Sequence, residues 1–367
     1  MGRLKGGKQL RGVPHQVKAP PTTDKLLAKA QQLVAQCDFD LSRKFIDRIL
    51  QSDPNNLEAR ELLGVVLLEI GDVETARQNF RGMLDFAVVP PSAHLYLAQL
   101  DENPHSALVH YEAAIGLFST QLKGKGSGLA SHESDEELKS SIIQALCAMV
   151  EIWMSDLCME ESAEANCDAL LARATSIDQN NAATLQSLAS CRLSQSRPDD
   201  ARVAVERSWA AWRDLDPDDL RRPDIPQRIA LAKLFLELAQ HYTELALFEN
   251  ALAILQDVLA SDDQEVMGWY LEGWCYLLMA EHGRTAGVAI TSEDGDGVPW
   301  TEIAHDAKEC LESCKSLHIA QEHPDDQVLQ HVQELLTEID LLNLPPRAED
   351  GAEGEWVDDD DDDVEMS

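Results

Sequence analysis

From Leu57 to Pro90 the chain carries Leu63, Gly64, Leu67, Gly71, Ala76 and Phe80 at the small and large positions of a 34-residue repeat of two antiparallel helices. This period constrains the fold more than any other property of the sequence. Two helices approach closely only where their side chains are small, so Gly64 and Ala76 are expected at the crossing, with Leu67 and Phe80 filling the space beside it. Gly71 suits the turn between them.

The same register returns along the chain. Upstream, Ala30, Leu33, Ser42, Ile46 and Pro54 occupy matching places, and Asp53-Pro54-Asn55-Asn56 reads as the stop of one hairpin and the cap of the next helix. Downstream, Ala107, Tyr111 and Ala114 fit a second helix whose partner, around His94 to Leu100, is shortened. Leu188, Ala189, Ala201 and Val205 follow, then Leu238, Ala239, Tyr242, Ala251, Leu255 and Val258, then Trp269, Gly273 and Tyr276 with Ala307, Leu311 and Cys314. Leu138 to Ile177 fits two more antiparallel helices, with Ser155 and Cys167 where Gly and Ala are usual. The expected fold is all-α: a tetratricopeptide-type helix-hairpin solenoid of six to seven repeats over residues 22–343, wound as a right-handed superhelix.

Loop insertions are expected near 119–137, with Lys123-Gly124-Lys125-Gly126-Ser127-Gly128, and near 282–299, with Glu293-Asp294-Gly295-Asp296-Gly297. Asp326 to Leu342 places Val328, Leu329, Val332, Leu335, Leu336 and Ile339 on one face, suited to capping the open end of a solenoid. Residues 1–21 read as a disordered basic arm. Residues 344–367, past Pro345-Pro346, read as a disordered acidic tail.

Charge narrows the partners. The 66 acidic and 30 basic side chains give a net charge of −36, which argues against direct binding to nucleic acid or to an anionic membrane. From Pro345 to Ser367 eleven carboxylates face only Arg347, so the tail holds −10 and the rest of the chain remains acidic at −26. The expected partner is therefore a basic protein. Met1 to Pro21 contains no apolar core of a secretion signal, Leu62 to Leu68 is too short to span a bilayer, and Glu272 interrupts Met267 to Ala280, whereas a span needs about 20 apolar residues. The eight cysteines lack repeated short spacings and read as reduced, mostly buried thiols. The expected location is the cytoplasm and nucleus, with the basic arm either an import signal or simple disorder.

Catalytic signatures are missing. Gly124 to Gly128 lacks the spacing and the following Ser or Thr of a phosphate-binding loop, and no serine sits in a nucleophile elbow. Cys310 and Cys314 lie one helical turn apart with His305 nearby, but Cys314 takes a small core position and no second pair completes a metal site. His94, His105 and His110 lack a helical spacing that would gather all three. No catalytic, cofactor-binding or metal residue is assigned, and no cofactor is expected. The informative surface is the inner face lined by the first helix of each hairpin. The register puts Glu58, Glu61 and Glu69 there from the second repeat, Asp156 and Glu160 from the fourth, Glu244 from the sixth, and Tyr270 and Trp274 from the seventh. Carboxylates with a few aromatics suit an extended Arg- and Lys-rich segment, through charge-assisted hydrogen bonds and cation–π contact. The acidic tail is either a solubilising segment or an arm that speeds capture of a basic client.

The run Leu146-Cys147-Ala148-Met149-Val150-Glu151-Ile152-Trp153-Met154-Ser155-Asp156-Leu157-Cys158-Met159-Glu160-Glu161, the helix Trp269-Tyr270-Leu271-Glu272-Gly273-Trp274-Cys275-Tyr276 and the Asp-rich end resemble the fungal family of dedicated assembly chaperones for large-subunit ribosomal protein four. That resemblance implies a non-enzymatic binder that covers the client's basic internal loop and delivers it to nuclear pre-ribosomes, with an import receptor reached through the client. It carries over no contact residues. Three alternatives stay open: a histone or other basic-protein chaperone, a co-chaperone adaptor, and a scaffold for an enzyme. The adaptor needs a basic clamp, yet Leu27 and Gln31 stand at the first-repeat positions and Glu61 at the second.

Overall fold

Short polar turns set the rhythm of this chain, and fifteen helices lie between them among the described residues. The computed structural model describes residues 21–124, 134–219, 221–242, 244–286, 290–291 and 297–347. The basic arm up to residue 20, residues 125–133, residues 287–289 and 292–296 and the acidic tail from residue 348 lie outside them. The first helices are α1 (Thr23–Val34), α2 (Phe39–Ser52), α3 (Leu57–Glu69), α4 (Val73–Met83), α5 (Pro91–Gln99) and α6 (Pro104–Gly124). Next come α7 (Asp135–Met154), α8 (Ala163–Ile177), α9 (Ala182–Ser194), α10 (Pro198–Ala210), α11 (Ile225–Tyr242) and α12 (Leu245–Ser261). The last are α13 (Val266–Ala286), α14 (Trp300–Ala320) and α15 (Asp326–Leu341).

The chain forms two compact units, one ending at Ala145 and one beginning at Leu146. In the first, α1 pairs with α2, α3 with α4, and α5 with α6; in the second, α9 pairs with α10, α11 with α12, and α13 with α14. Helix α15 covers α14 and touches α13, as the amphipathic pattern of its sequence requires.

One turn chemistry recurs between hairpins. Asp53 accepts from the Asn55 N–H and Asn56 caps α3 through the Ala59 N–H; Asp178 and Asn181 do the same with Asn180 and Thr184. Each asparagine satisfies a donor that the first turn of a helix leaves without a partner. Within hairpins, Asp38 and Asp72 cap α2 and α4. The residue before each of these caps is left-handed: Cys37 at φ 56°, Gly71 at φ 79°, and likewise Ser196 at φ 57° before α10. Only Gly71 adopts this geometry without steric cost.

The crossings follow the expected register. A Cβ on Gly64 would enter the ring of Phe80, and one on Gly273 would come within 2.7 Å of Leu311 Cγ. Ser42 donates to the Ala30 carbonyl at 3.0 Å, so the α1–α2 crossing is small and internally satisfied. The large core of the second unit gathers Trp212, Phe235, Leu238, Phe248 and Leu255. Beside it, Arg222 and Arg228 both pair with Asp257, at 2.5 and 2.6 Å. Burial opposes ionisation of Asp257, but the two guanidiniums outweigh it and hold the carboxyl below its usual range.

Three boundaries differ from the sequence reading. Helix α6 continues to Gly124 and α7 begins at Asp135, so residues expected in the first insertion are helical at both of its ends. Helix α13 continues to Ala286, and β1 (Ile290–Thr291) and β2 (Gly297–Val298) form an antiparallel pair before α14. Ser155 does not stand at a helix crossing; it lies in the turn after α7, where its hydroxyl donates to the Glu151 carbonyl at 2.8 Å.

Candidate functional site

In the first unit, the spacing of Glu58, Glu61 and Glu69 puts them along one side of α3. Glu58 and Glu69 are exposed, whereas Glu61 is half-buried and accepts from the Ser92 hydroxyl of α5. Tyr96 of α5 shares this surface. Burial raises its phenol pKa, and the Glu61 and Glu69 carboxylates raise it further. Its ring stacks on Phe80 at 4.5 Å, so the core holds the phenol against the acids. Arg60 is drawn to the other side of α3, donating to the Pro54 carbonyl and to Asn79. The result is an acidic strip with an aromatic edge.

In the second unit, the end of α7 lies beside α9 and α11, and a cavity of about 430 Å³ opens along them. Val150 and Gln186 are buried beneath it, Met154 and Leu234 half-buried, and Glu151, Lys233 and Glu237 exposed around it. The Gln186 amide donates to the Gln227 carbonyl at 3.1 Å, tying α9 to α11. An apolar floor under two carboxylates and a lysine suits a side chain with a long aliphatic stem and a cationic head.

Three predicted positions move. Asp156 and Glu160 are exposed in the turn that follows α7, not on an inner helix face. Glu244 is the N-cap residue of α12, past the end of α11, and pairs with Arg202 of α10 at 2.9 Å. In each case the helix stops before the register that placed the residue. The exposed acids that α7 and α11 do bring together are Glu151 and Glu237, which line the same cavity.

Tyr270 and Trp274 do lie together on α13, ring to ring at 6.1 Å. What the sequence did not reveal is His331 of α15. Its ring stands edge-on to both, at 5.8 and 5.9 Å, and its Nδ1 lies 2.7 Å from the Tyr270 hydroxyl. The helix that closes the unit thus also completes this aromatic patch. Burial is the main reason the Tyr270 phenol pKa is raised.

The remaining chemistry-bearing residues are structural in their surroundings. Cys314 is fully buried, its thiol 3.5 Å from the Val266 carbonyl and pushed up to about 12 by burial. His305 Nε2 lies 2.8 Å from the Pro345 carbonyl. His94 and His110 meet through their Nδ1 atoms at 2.9 Å, and burial followed by the neighbouring ring lowers the His94 pKa. Among the described residues no group of three or more His, Cys, Asp or Glu could hold a metal ion, and no helix is long and apolar enough to cross a membrane.

No protein-family model matches the chain. It is 30% identical over 322 residues to the probable assembly chaperone of rpl4 from Schizosaccharomyces pombe, covering 86% of this chain and 89% of that protein. It is 27% identical over 333 residues to the probable assembly chaperone of rpl4 from Emericella nidulans, covering 85% and 80%. Among solved structures, the assembly chaperone of RpL4 (Acl4), residues 1–338, superposes with a TM-score of 0.61 at 28% identity, over 73% of this chain and 100% of that one.

Proposed function

Since the chain belongs to the family of rpl4 assembly chaperones, we propose that it is a non-enzymatic binder of newly made large-subunit ribosomal protein four. The observation that carries the reading is the run of acids on first-helix surfaces, Glu58, Glu61 and Glu69 in one unit and Glu151 and Glu237 in the other, beside aromatic and aliphatic side chains. These surfaces suit the client's basic internal loop, in keeping with the resemblance. A free basic segment binds any polyanion because counterion release rewards it. An acidic surface of fixed shape competes with that non-specific capture. Ribosomal RNA would take the client over by offering denser charge and base contacts, so release needs no nucleotide hydrolysis. The same reading places the protein in the cytoplasm and nucleus, without contacts of its own to nucleic acid or membrane, and reaching an import receptor through the client.

The test is co-expression and pulldown at moderately high salt with three baits: ribosomal protein four, the same protein without its internal loop, and a core histone pair. Loop-dependent, stoichiometric recovery of the ribosomal protein is expected. Equal recovery of every basic protein would reduce the molecule to a generic acidic sink, and recovery of histones alone would replace the client.

A further inference from the structure

The second unit holds a further cavity of about 320 Å³ that the client-binding reading leaves without a role. Gln256 and Leu259 of α12 line it, with Trp269, Glu272 and Tyr276 of α13 and Asp306, Glu309 and Cys310 of α14. Trp269, Glu272 and Tyr276 sit three and four residues apart, so one stripe of α13 presents an aromatic, a carboxylate and a phenol to the same space. Glu272 is 6% exposed. Its carboxylate receives the Cys310 thiol at 3.6 Å, and among the described residues it makes no ion pair. A buried carboxylate facing a cavity without a cation is costly to maintain, and a ligand that brings a positive charge would relieve that cost.

Two acids of the cavity already demonstrate the matching chemistry. Arg347, from the segment after α15, places its guanidinium against Glu302, Asp306 and Glu309. Asp306 and Glu309 belong to the cavity; Glu302 lies one helical turn before Asp306. One guanidinium thus serves Asp306 and Glu309, while Glu272 has none among the described residues. The Trp269 indole N–H donates to the Asp263 carbonyl at 2.8 Å, which fixes its ring at the cavity wall. The Tyr276 hydroxyl accepts from Gln256 at 3.3 Å. Flat aromatic faces beside a carboxylate favour a guanidinium over an ammonium, since only the former both stacks and forks.

We propose that this cavity is a socket for one arginine side chain of a basic protein segment, with Arg347 the resident guanidinium that an incoming arginine displaces from Asp306 and Glu309. The socket rests on the reading of a basic client, and adds a contact apart from Glu58, Glu61, Glu69, Glu151 and Glu237. Burial raises the Glu272 pKa, and an incoming guanidinium would favour its ionised form.

The experiment uses the full chain and three probes: acetyl-Gly-Arg-Gly-amide, its lysine counterpart and its neutral citrulline counterpart. The readout is the indole NMR signal of Trp269, assigned by its loss in Trp269→Phe. The arginine peptide is expected to give a saturating shift, the lysine peptide a weaker one and the citrulline peptide none. Glu272→Gln, which keeps the shape of the side chain, should weaken the arginine peptide at least tenfold; Asp306→Asn should weaken it less, and Arg347→Ala should strengthen it severalfold. An absent shift, equal shifts from arginine and citrulline, or an affinity unmoved by Glu272→Gln, Asp306→Asn and Arg347→Ala would overturn the socket. Should Glu272→Gln lose its fold by circular dichroism, the Asp306→Asn and Arg347→Ala arms decide alone. Reversing Glu58, Glu61 and Glu69 to Lys should leave the Trp269 response intact, so failure of the inner-face reading and failure of the socket remain separate results.

Discussion

Hairpins α3–α4 and α13–α14 cross by the same device and differ in almost everything around it. In each, a glycine stands where a Cβ would collide, Gly64 with the Phe80 ring and Gly273 with Leu311. The first hairpin has helices of 13 and 11 residues, the second of 21 and 21. Around Gly64 the acids point to open surface, with Glu58 and Glu69 exposed. Around Gly273 one acid is enclosed: Glu272 is buried, while half-buried Asp306 and exposed Glu309 share Arg347. The repeat therefore dictates how two backbones meet, and positions outside it decide what the hairpin does.

Breaking the crossings should produce the largest effects. Gly64→Val and Gly273→Val should each cost about 3 kcal/mol by overpacking, read from urea denaturation. The two should part company under rescue. Phe80→Leu should restore much of the stability lost in Gly64→Ala, because only a ring end obstructs the new methyl. Leu311→Ala should restore less in Gly273→Ala, because the Ala307 carbonyl stays 3.2 Å away.

Next in size are the acids of α3. Replacing Glu58, Glu61 and Glu69 together by Lys should weaken client binding at least tenfold, about 1.4 kcal/mol, and steepen the loss with salt, while helicity by circular dichroism stays unchanged. Unaltered client binding would show that the open acids of α3 are a solvated face and nothing more.

The enclosed acid, Glu272, predicts a pH effect. Burial raises Glu272 above the ordinary 4.5, with a smaller opposing pull from the Cys310 and Gln256 hydrogen bonds and a further rise from Asp306. A raised carboxyl favours the folded state when protonated, so its contribution is present below the unfolded value and lost as pH climbs through the folded one. Glu272→Gln should therefore gain stability relative to the natural chain as pH rises from 4.5, with Asp306, Glu309, Cys310, Tyr276 and Arg347 left in place in both proteins. A gap that stays constant with pH would refute the assignment. The smallest effect belongs to the turns: Ser196→Gly and Cys37→Gly should each stabilise by about 0.5–1 kcal/mol, because both residues hold a left-handed backbone that Gly71 adopts freely.

Much of this architecture was legible because it is local. Ala30, Gly64, Ala76 and Gly273 declared the crossings, and Asp53-Pro54-Asn55-Asn56 declared its turn, since each is a matter of size or backbone chemistry within one repeat. The site was legible only where helix ends were. Asp156, Glu160 and Glu244 fell beyond α7 and α11, because a helix terminus depends on packing with the next hairpin as much as on its own residues. His331 escaped notice on a helix valued for its apolar face. Glu272 registered in the sequence as nothing more than a break in an apolar stretch; its hydrogen-bond partner Cys310 is 38 residues away.

The segment that follows α15 bears on how the acidic tail can be studied. Leu344 packs against two core clusters of the second unit, the Pro345 carbonyl meets His305, and Arg347 joins three carboxylates of α14. A truncation that begins at Leu344 would remove a clasp along with the charge, and any loss of function would confound the two. Cutting after Arg347 keeps the clasp and deletes only acid. Arg347 therefore belongs with the helix whose carboxylates it joins, whatever charge it also offers the acids that follow it.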